Sequence, residues 1–208
     1  MSATTWDAWF PDVLVHATTA PDPLVRQALC RASREFFRRT RAWMQWLDPI
    51  GTTAGEGQTY AFVIPAESQL VRVEQATAGK HPLPVESFRQ IDRDWLEHPE
   101  GERAVVTQDL QQYALVGNFA SAEAVQVQVS LMPQTGATGI PSYLADRHLE
   151  SIAEGAKAIL LLTPNTEFYR PDLAAAARMQ FDRCIGAASL DAYRGHTNQV
   201  PRASVKWC

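Results

Sequence analysis

Cysteine is scarce in this chain of 208 residues: Cys30, Cys184 and Cys208 are an odd number, with no short spacing between any two. That pattern gives no basis for a disulfide framework or a cysteine zinc knuckle. Lysine is equally scarce, since only Lys80, Lys157 and Lys206 of the 19 basic residues are lysine and the other 16 are arginine. Arginine is enriched where proteins meet, because its flat guanidinium stacks and pairs bidentately. GC-rich coding produces the same bias, so it points only weakly to a contact surface. Long apolar runs are absent: none approaches the roughly 20 residues that span a bilayer, so no membrane partner is expected. Met1 to Asp7 lacks the basic-then-apolar order of a secretory signal, which places the folded chain in a cytoplasm.

Catalytic patterns are missing too. The glycines are spread out, and Gly136-Ala137-Thr138-Gly139 lacks the lysine and the strand-to-helix context of a phosphate loop. His16, His81, His98, His148 and His196 show no metal-ligand spacing to each other or to cysteine. No catalytic residue, metal site or cofactor is therefore expected. A hydrolase whose residues meet only in space stays as the alternative, beside a DNA-binding regulator.

What is present is a folding composition. With 46% hydrophobic and 20% charged residues the chain can bury enough apolar surface to exclude wholesale disorder. The net charge of −4 and a pI near 5.7 argue against a dedicated nucleic-acid binder. One domain, or one domain carrying an insertion, fits the length.

Three long helices are predicted. The first opens at Asp22-Pro23, with proline where its missing N–H costs nothing, and runs to about Trp43. Val25, Ala28, Ala32 and Phe36, flanked by Leu29 and Phe37, form its apolar face. Trp6, Trp9 and Phe10, cut by Pro11, should fold back onto that core. The second helix starts near Ser142, with Leu144, Ala145, Leu149, Ile152, Ala153, Ala156, Ile159 and Leu160 on one side, and ends at Leu162-Thr163-Pro164. The third opens at Pro171-Asp172 and carries Leu173, Ala177, Phe181, Cys184, Ala188 and Ala192 on one stripe until Gly195.

Between Trp43 and Leu131 the period changes to short β-rich runs. Tyr60, Phe62 and Ile64 alternate before Pro65, Leu70 to Val73 follows, and Val125 to Leu131 alternates apolar with polar without a fault. Tyr113 to Val116, ending at Gly117-Asn118, is the expected hairpin partner of that last strand, and Ser87 to Leu96 a short helix. The reading is an α+β fold: a three-helix body (1–43 and 133–195), an antiparallel β-rich insertion (44–132) and an extended C-terminal tail (196–208).

His148 reads as a boundary histidine, because Asp146 and Glu150, two residues away, point elsewhere. Asp146, Glu150 and Glu154 share a helix face, but Arg147 and Lys157 make it a salt-bridged solvated face, without the Glu-x-x-His pairs of a bundle metal site. Cys184, on the apolar stripe, reads as buried and inert.

Two features invite function. Arg31, Arg34, Arg38 and Arg41 recur at intervals of three and four on the first helix, joined by Arg26 and Arg39 against the single acid Glu35. This basic ridge is a solvated face, a subunit interface, or a surface touching passing phosphates. The tail, His196 to Cys208, carries Arg202, Lys206 and Trp207 and no acidic side chain. It reads as a frayed end or as a peptide that orders on a partner with Trp207 as anchor.

The whole layout resembles the head-to-tail adaptor (connector) proteins of tailed bacteriophages. The similar pieces run in order along the chain: Phe36 with Arg39-Thr40-Arg41-Ala42-Trp43, Asp48-Pro49-Ile50, Ile64-Pro65, Ile140-Pro141 with Leu144, Ile152-Ala153-Glu154-Gly155-Ala156 with Leu160-Leu161 and Pro164, then Pro171-Asp172-Leu173-Ala174 with Phe181. The resemblance implies a non-enzymatic virion protein at the head-tail junction, assembled in a host bacterial cytoplasm. It would form a closed, dodecameric ring of its own copies below the portal protein, extend the DNA channel and present a surface to tail or nozzle proteins. Contact with passing viral DNA would be transient. It assigns Arg202, Lys206 and Trp207 to portal binding, and leaves Arg31, Arg34, Arg38 and Arg41 at a subunit interface or facing the channel.

Overall fold

The computed structural model of the protein describes residues 2–53, 58–88, 103–107, 109–120 and 122–195. They divide into two compact units, one of residues 2–42 with 133–195 and one of residues 43–132. In chain order the first stretch holds β1 (Ala3–Thr5), a 3-10 turn (Trp6–Trp9), α1 (Phe10–Leu14) and α2 (Asp22–Thr40). There follow β2 (Met44–Trp46), β3 (Ile50–Gly51), β4 (Gln58–Ala61), β5 (Ser68–Ala78), β6 (His81–Leu83) and β7 (Val85–Ser87). The rest comprises β8 (Ala104–Thr107), β9 (Gln112–Val116), β10 (Ala124–Pro133), β11 (Gly139–Pro141), α3 (Ser142–Leu160) and α4 (Pro171–Tyr193).

The expected three-helix body is not what forms. Among the described residues there are four α-helices, and eleven strands in three sheets give a β content of 30%. The physical reason lies in segments too short to show a period. Pro11 falls in the first turn of α1, where no N–H is needed, so it starts a helix instead of breaking one. β1 and β11, three residues each, pair antiparallel within the helical unit, and a Cβ at Gly139 would fall on the Thr4 carbonyl oxygen. Only glycine permits that approach.

Trp6 and Trp9 tie this N-terminal segment down. Both are buried, Trp6 Nε1 donates to the Ala137 carbonyl (2.5 Å), and Trp9 Nε1 donates to the Leu149 carbonyl (3.1 Å). The second bond meets α3 beside its bend, where His148 leaves helical geometry (φ −121°, ψ 15°). A side chain bonded into the carbonyl ladder is a known cause of such bends. His148 itself is buried, its ring 4.9 Å from that of Phe36 and edge-on to Phe37 at 6.2 Å.

α2 stops at Thr40, three residues short of the predicted end. The Thr40 hydroxyl donates to the Phe36 carbonyl and accepts from the Ala42 N–H, while Arg41 takes the left-handed conformation (φ 55°). A side chain thus closes the helix where glycine is usual.

In the second unit, one sheet runs in the order β2-β10-β5-β6, with β3 also on β10, and the other β4-β9-β8-β7. The strict alternation of β10 does what the pattern requires, burying Val125, Val127, Val129 and Leu131. Its partners differ from expectation. β9 pairs with β4 and β8, whereas β10 pairs with β2, β3 and β5. The link after Gly117-Asn118 is held away from a tight turn by Thr52, whose hydroxyl donates to the Ala120 carbonyl (2.6 Å) and whose N–H donates to the Glu123 carbonyl (3.0 Å). That anchors the start of β10 to β3. Nor is the insertion wholly antiparallel, since β7 and β8 run parallel. Ser87 ends β7, and the rest of the predicted Ser87–Leu96 helix lies outside the described residues beyond Phe88.

Candidate interaction surface

α4 has two apolar faces. Ala174, Ala177, Phe181, Ile185 and Ala192 are buried, and α3 packs against both α4 and α2. The small residues permit a close approach: a Cβ at Gly155 of α3 would lie 2.7 Å from Phe181 Cε2 and 2.9 Å from Ala32 Cβ. The predicted stripe shares Ala177, Phe181 and Ala192 with this face and departs from it at Leu173 and Cys184. Leu173 is 46% exposed and Cys184 only half-buried, so neither belongs to the core, and Cys184 is not the sealed thiol the sequence suggested.

On the opposite side of the same helix stand Ala176, Met179, Arg183, Gly186, Leu190 and Tyr193, all exposed. Their spacing alternates three and four, so they form one continuous row. Met179 is 59% exposed, Leu190 45% and Tyr193 71%. Single exposed apolar residues are ordinary, but Met179, Leu190 and Tyr193 share one row with Ala176 and Gly186 over 18 residues of one helix, interrupted only by Arg183, and such a row is the mark of a contact surface. The sequence signal was there: apolar residues on all sides of α4, which a monomer surface helix does not need.

An ion-pair network holds α4 to α2 and so sets the direction of that face. Arg178 donates to both oxygens of Glu35 (Nη2 2.6 Å, Nη1 3.0 Å) and through Nε to Asp182 (3.1 Å). Arg39 donates to Asp182 (2.6 Å) and Glu35 (3.1 Å), and Arg178 also lies over the Phe181 ring at 5.5 Å. Hydrogen bonds from Arg178 hold the Glu35 carboxyl below its usual range, and those from Arg39 do the same for Asp182. Groups whose folded pKa is lowered stabilise the fold above the unfolded carboxylate range, about pH 4, and lose that effect as pH falls through the folded values. The pairs are partly solvated, so each contributes about 1 kcal/mol or less. Arg178→Ala should therefore lower the melting temperature by roughly 2–6 °C at pH 7. In thermal scans at stepped pH the gap should close as Glu35 and Asp182 protonate in the wild type; a constant gap down to strong acid would refute the network's role.

The basic ridge divides. Arg31 and Arg38 are exposed and make no ion pair with another described residue. Arg34 instead donates to the Pro133 carbonyl (2.6 Å), and Arg41 closes α2 in the left-handed region. Arg39 is drawn into the Glu35 network, and Arg26 pairs with Asp7 at 2.7 Å. Arg178, the centre of that network, was not singled out from the sequence. Only the spacing of four to Asp182 hinted at it.

Grooves flank the helices among the described residues. One, about 720 Å³, lies between Trp6, Arg26, Cys30, Arg31, Arg34 and the loop 135–138. Another, about 310 Å³, brings together Asp12, His16, Glu150, Glu154, Lys157 and Cys184, with Lys157 bonded to Glu154 at 2.5 Å. Among the described residues no three His, Cys, Asp or Glu side chains gather in a way that holds a metal ion, and no helix is long and apolar enough to cross a membrane. Arg202, Lys206 and Trp207 lie outside the described residues. The chain matches no family model and no curated protein sequence.

Proposed function

We propose that the chain is a structural subunit that assembles with its own copies into a ring, and that this ring is a head-to-tail connector seated below a phage portal. The observation that carries the reading is the outer face of α4, an exposed and largely apolar row held in place by the Arg178 network. A head-to-tail contact between identical subunits needs such a face on each copy, and it closes into a ring only if the rotation between neighbours divides the circle. A portal supplies that rotation as a template. The order of packing and turn residues from Phe36 to Phe181 supplies the resemblance to connectors. Arg31 and Arg38, exposed a full heptad apart, are the ridge residues available to touch passing DNA.

The tail is assigned to the portal by the same resemblance. Trp207→Ala combined with Arg202→Glu should weaken portal binding at least tenfold while the melting temperature of the free subunit stays within about 1 °C, as expected when a hot-spot aromatic and a charge pair are lost at the binding step. Pull-down against the purified portal, with thermal scans of both proteins, reads the two quantities. Undiminished binding would remove the tail from the contact.

A further inference from the structure

We infer that, before any ring forms, the outer face of α4 pairs antiparallel with the same face of a second copy, giving a two-fold dimer of the free protein. The row Ala176, Met179, Arg183, Gly186, Leu190, Tyr193 has the alternating spacing of a helix seam. Laid against itself antiparallel, it matches large to small at the outer and central layers. Tyr193 of one helix covers Ala176 of the other, the Arg183 stem lies over Gly186, and Met179 meets Leu190. A parallel pairing would instead set Tyr193 on Tyr193 and Gly186 on Gly186, a crowded layer beside an empty one, with Arg183 facing Arg183.

Charge agrees with the antiparallel choice. On the flank beside Arg183 stands Asp191, 59% exposed at its side chain and only loosely held by Arg147 at 4.0 Å. In the antiparallel pair, Arg183 of one copy lies about 7–8 Å along the axis from Asp191 of the other on the same flank, within reach of an arginine side chain. Each Arg183 near the dyad thereby gains a carboxylate from the opposite helix. The occupant of the face is thus a second copy, fitted by size and by charge.

An isologous pair of this kind closes on itself and leaves no free end. It withdraws the face from head-to-tail growth and so keeps free subunits from open filaments until a portal exchanges one contact for the other. That regulatory consequence rests on the ring reading; the dimer does not.

The test uses the full chain with Cys184→Ser and Cys208→Ser. Adding Met179→Cys and Leu190→Cys together should give an intermolecular disulfide on a non-reducing gel, whereas Met179→Cys alone should give none, because antiparallel packing keeps the two Met179 positions apart. Sedimentation should show a dimer with a micromolar dissociation constant, weakened at least tenfold by Leu190→Arg, with unchanged circular dichroism since Leu190 is exposed. A monomer at all concentrations, or a cross-link from Met179→Cys alone, overturns the dimer. Neither outcome touches portal binding, and a dimer that fails to bind any portal would sink the ring reading alone.

Discussion

Phe181→Ala is expected to destabilise the helical unit by about 3–5 kcal/mol, the cost of removing a fully buried aromatic ring and leaving a cavity behind. Phe181 is 1% exposed, touches the Gly155 backbone of α3, lies 6.3 Å from the Phe36 ring and carries the Arg178 guanidinium above it. The ring therefore holds α4 to both α3 and α2, and supports the ion pairs as well. A loss of this size corresponds to a fall in melting temperature of roughly 6–20 °C. Denaturant titration of the variant measures it directly. A change below 1 kcal/mol would mean that α4 is not anchored by this contact.

Gly155→Val is expected to be nearly as damaging for the opposite reason. Most helical glycines improve stability by up to about 1 kcal/mol when replaced, because glycine costs backbone entropy. Here the new Cβ would sit 2.7 Å from the Phe181 ring and 2.9 Å from the Ala32 methyl, and both neighbours are buried. Overpacking of this kind costs about 1–3 kcal/mol, and a branched side chain falls at the upper end. The two predictions are coupled. In a Phe181→Leu background the glycine substitution should cost less, and a double-mutant cycle should show a favourable interaction of at least 0.5 kcal/mol. Strict additivity would contradict direct contact between the two positions.

The three long helices were legible because each advertises itself by caps and period. Proline in the first turn marks α2 and α4, and a sustained apolar face marks α3. The same reasoning found Ala177, Phe181 and Ala192 on the buried stripe of α4 but set Leu173 and Cys184 beside them in place of Ala174 and Ile185. With alanine, leucine, methionine and cysteine on every side of it, several stripes were equally apolar, and only the fit of Ala174, Ala177, Phe181 and Ile185 against α2 and α3 decides among them. The fourth helix, α1, is five residues long, below the length at which period is visible, and the β1–β11 ribbon is shorter still. Tyr113–Val116 is the strand expected, but it was given the wrong partner because nearness in sequence suggested a hairpin, while the Thr52 hydrogen bonds that redirect the chain are long-range.

The candidate surface was legible in outline and wrong in emphasis. The arginine ridge on α2 drew attention by its spacing, yet Arg34 and Arg41 serve the fold, leaving Arg31 and Arg38 outward. The pairing of Arg178 with Glu35, residues separated by 143 positions, cannot be read from local spacing. Nor can an outward apolar row be told from a core stripe until the core is known.

The most direct test mixes the purified chain with its portal and images the product by electron microscopy. The account predicts a closed ring of this subunit stacked coaxially below the portal, with α4 faces between neighbours and a continuous central channel. A complex of single subunits scattered on the portal, or no complex at all from well-folded protein, would contradict it.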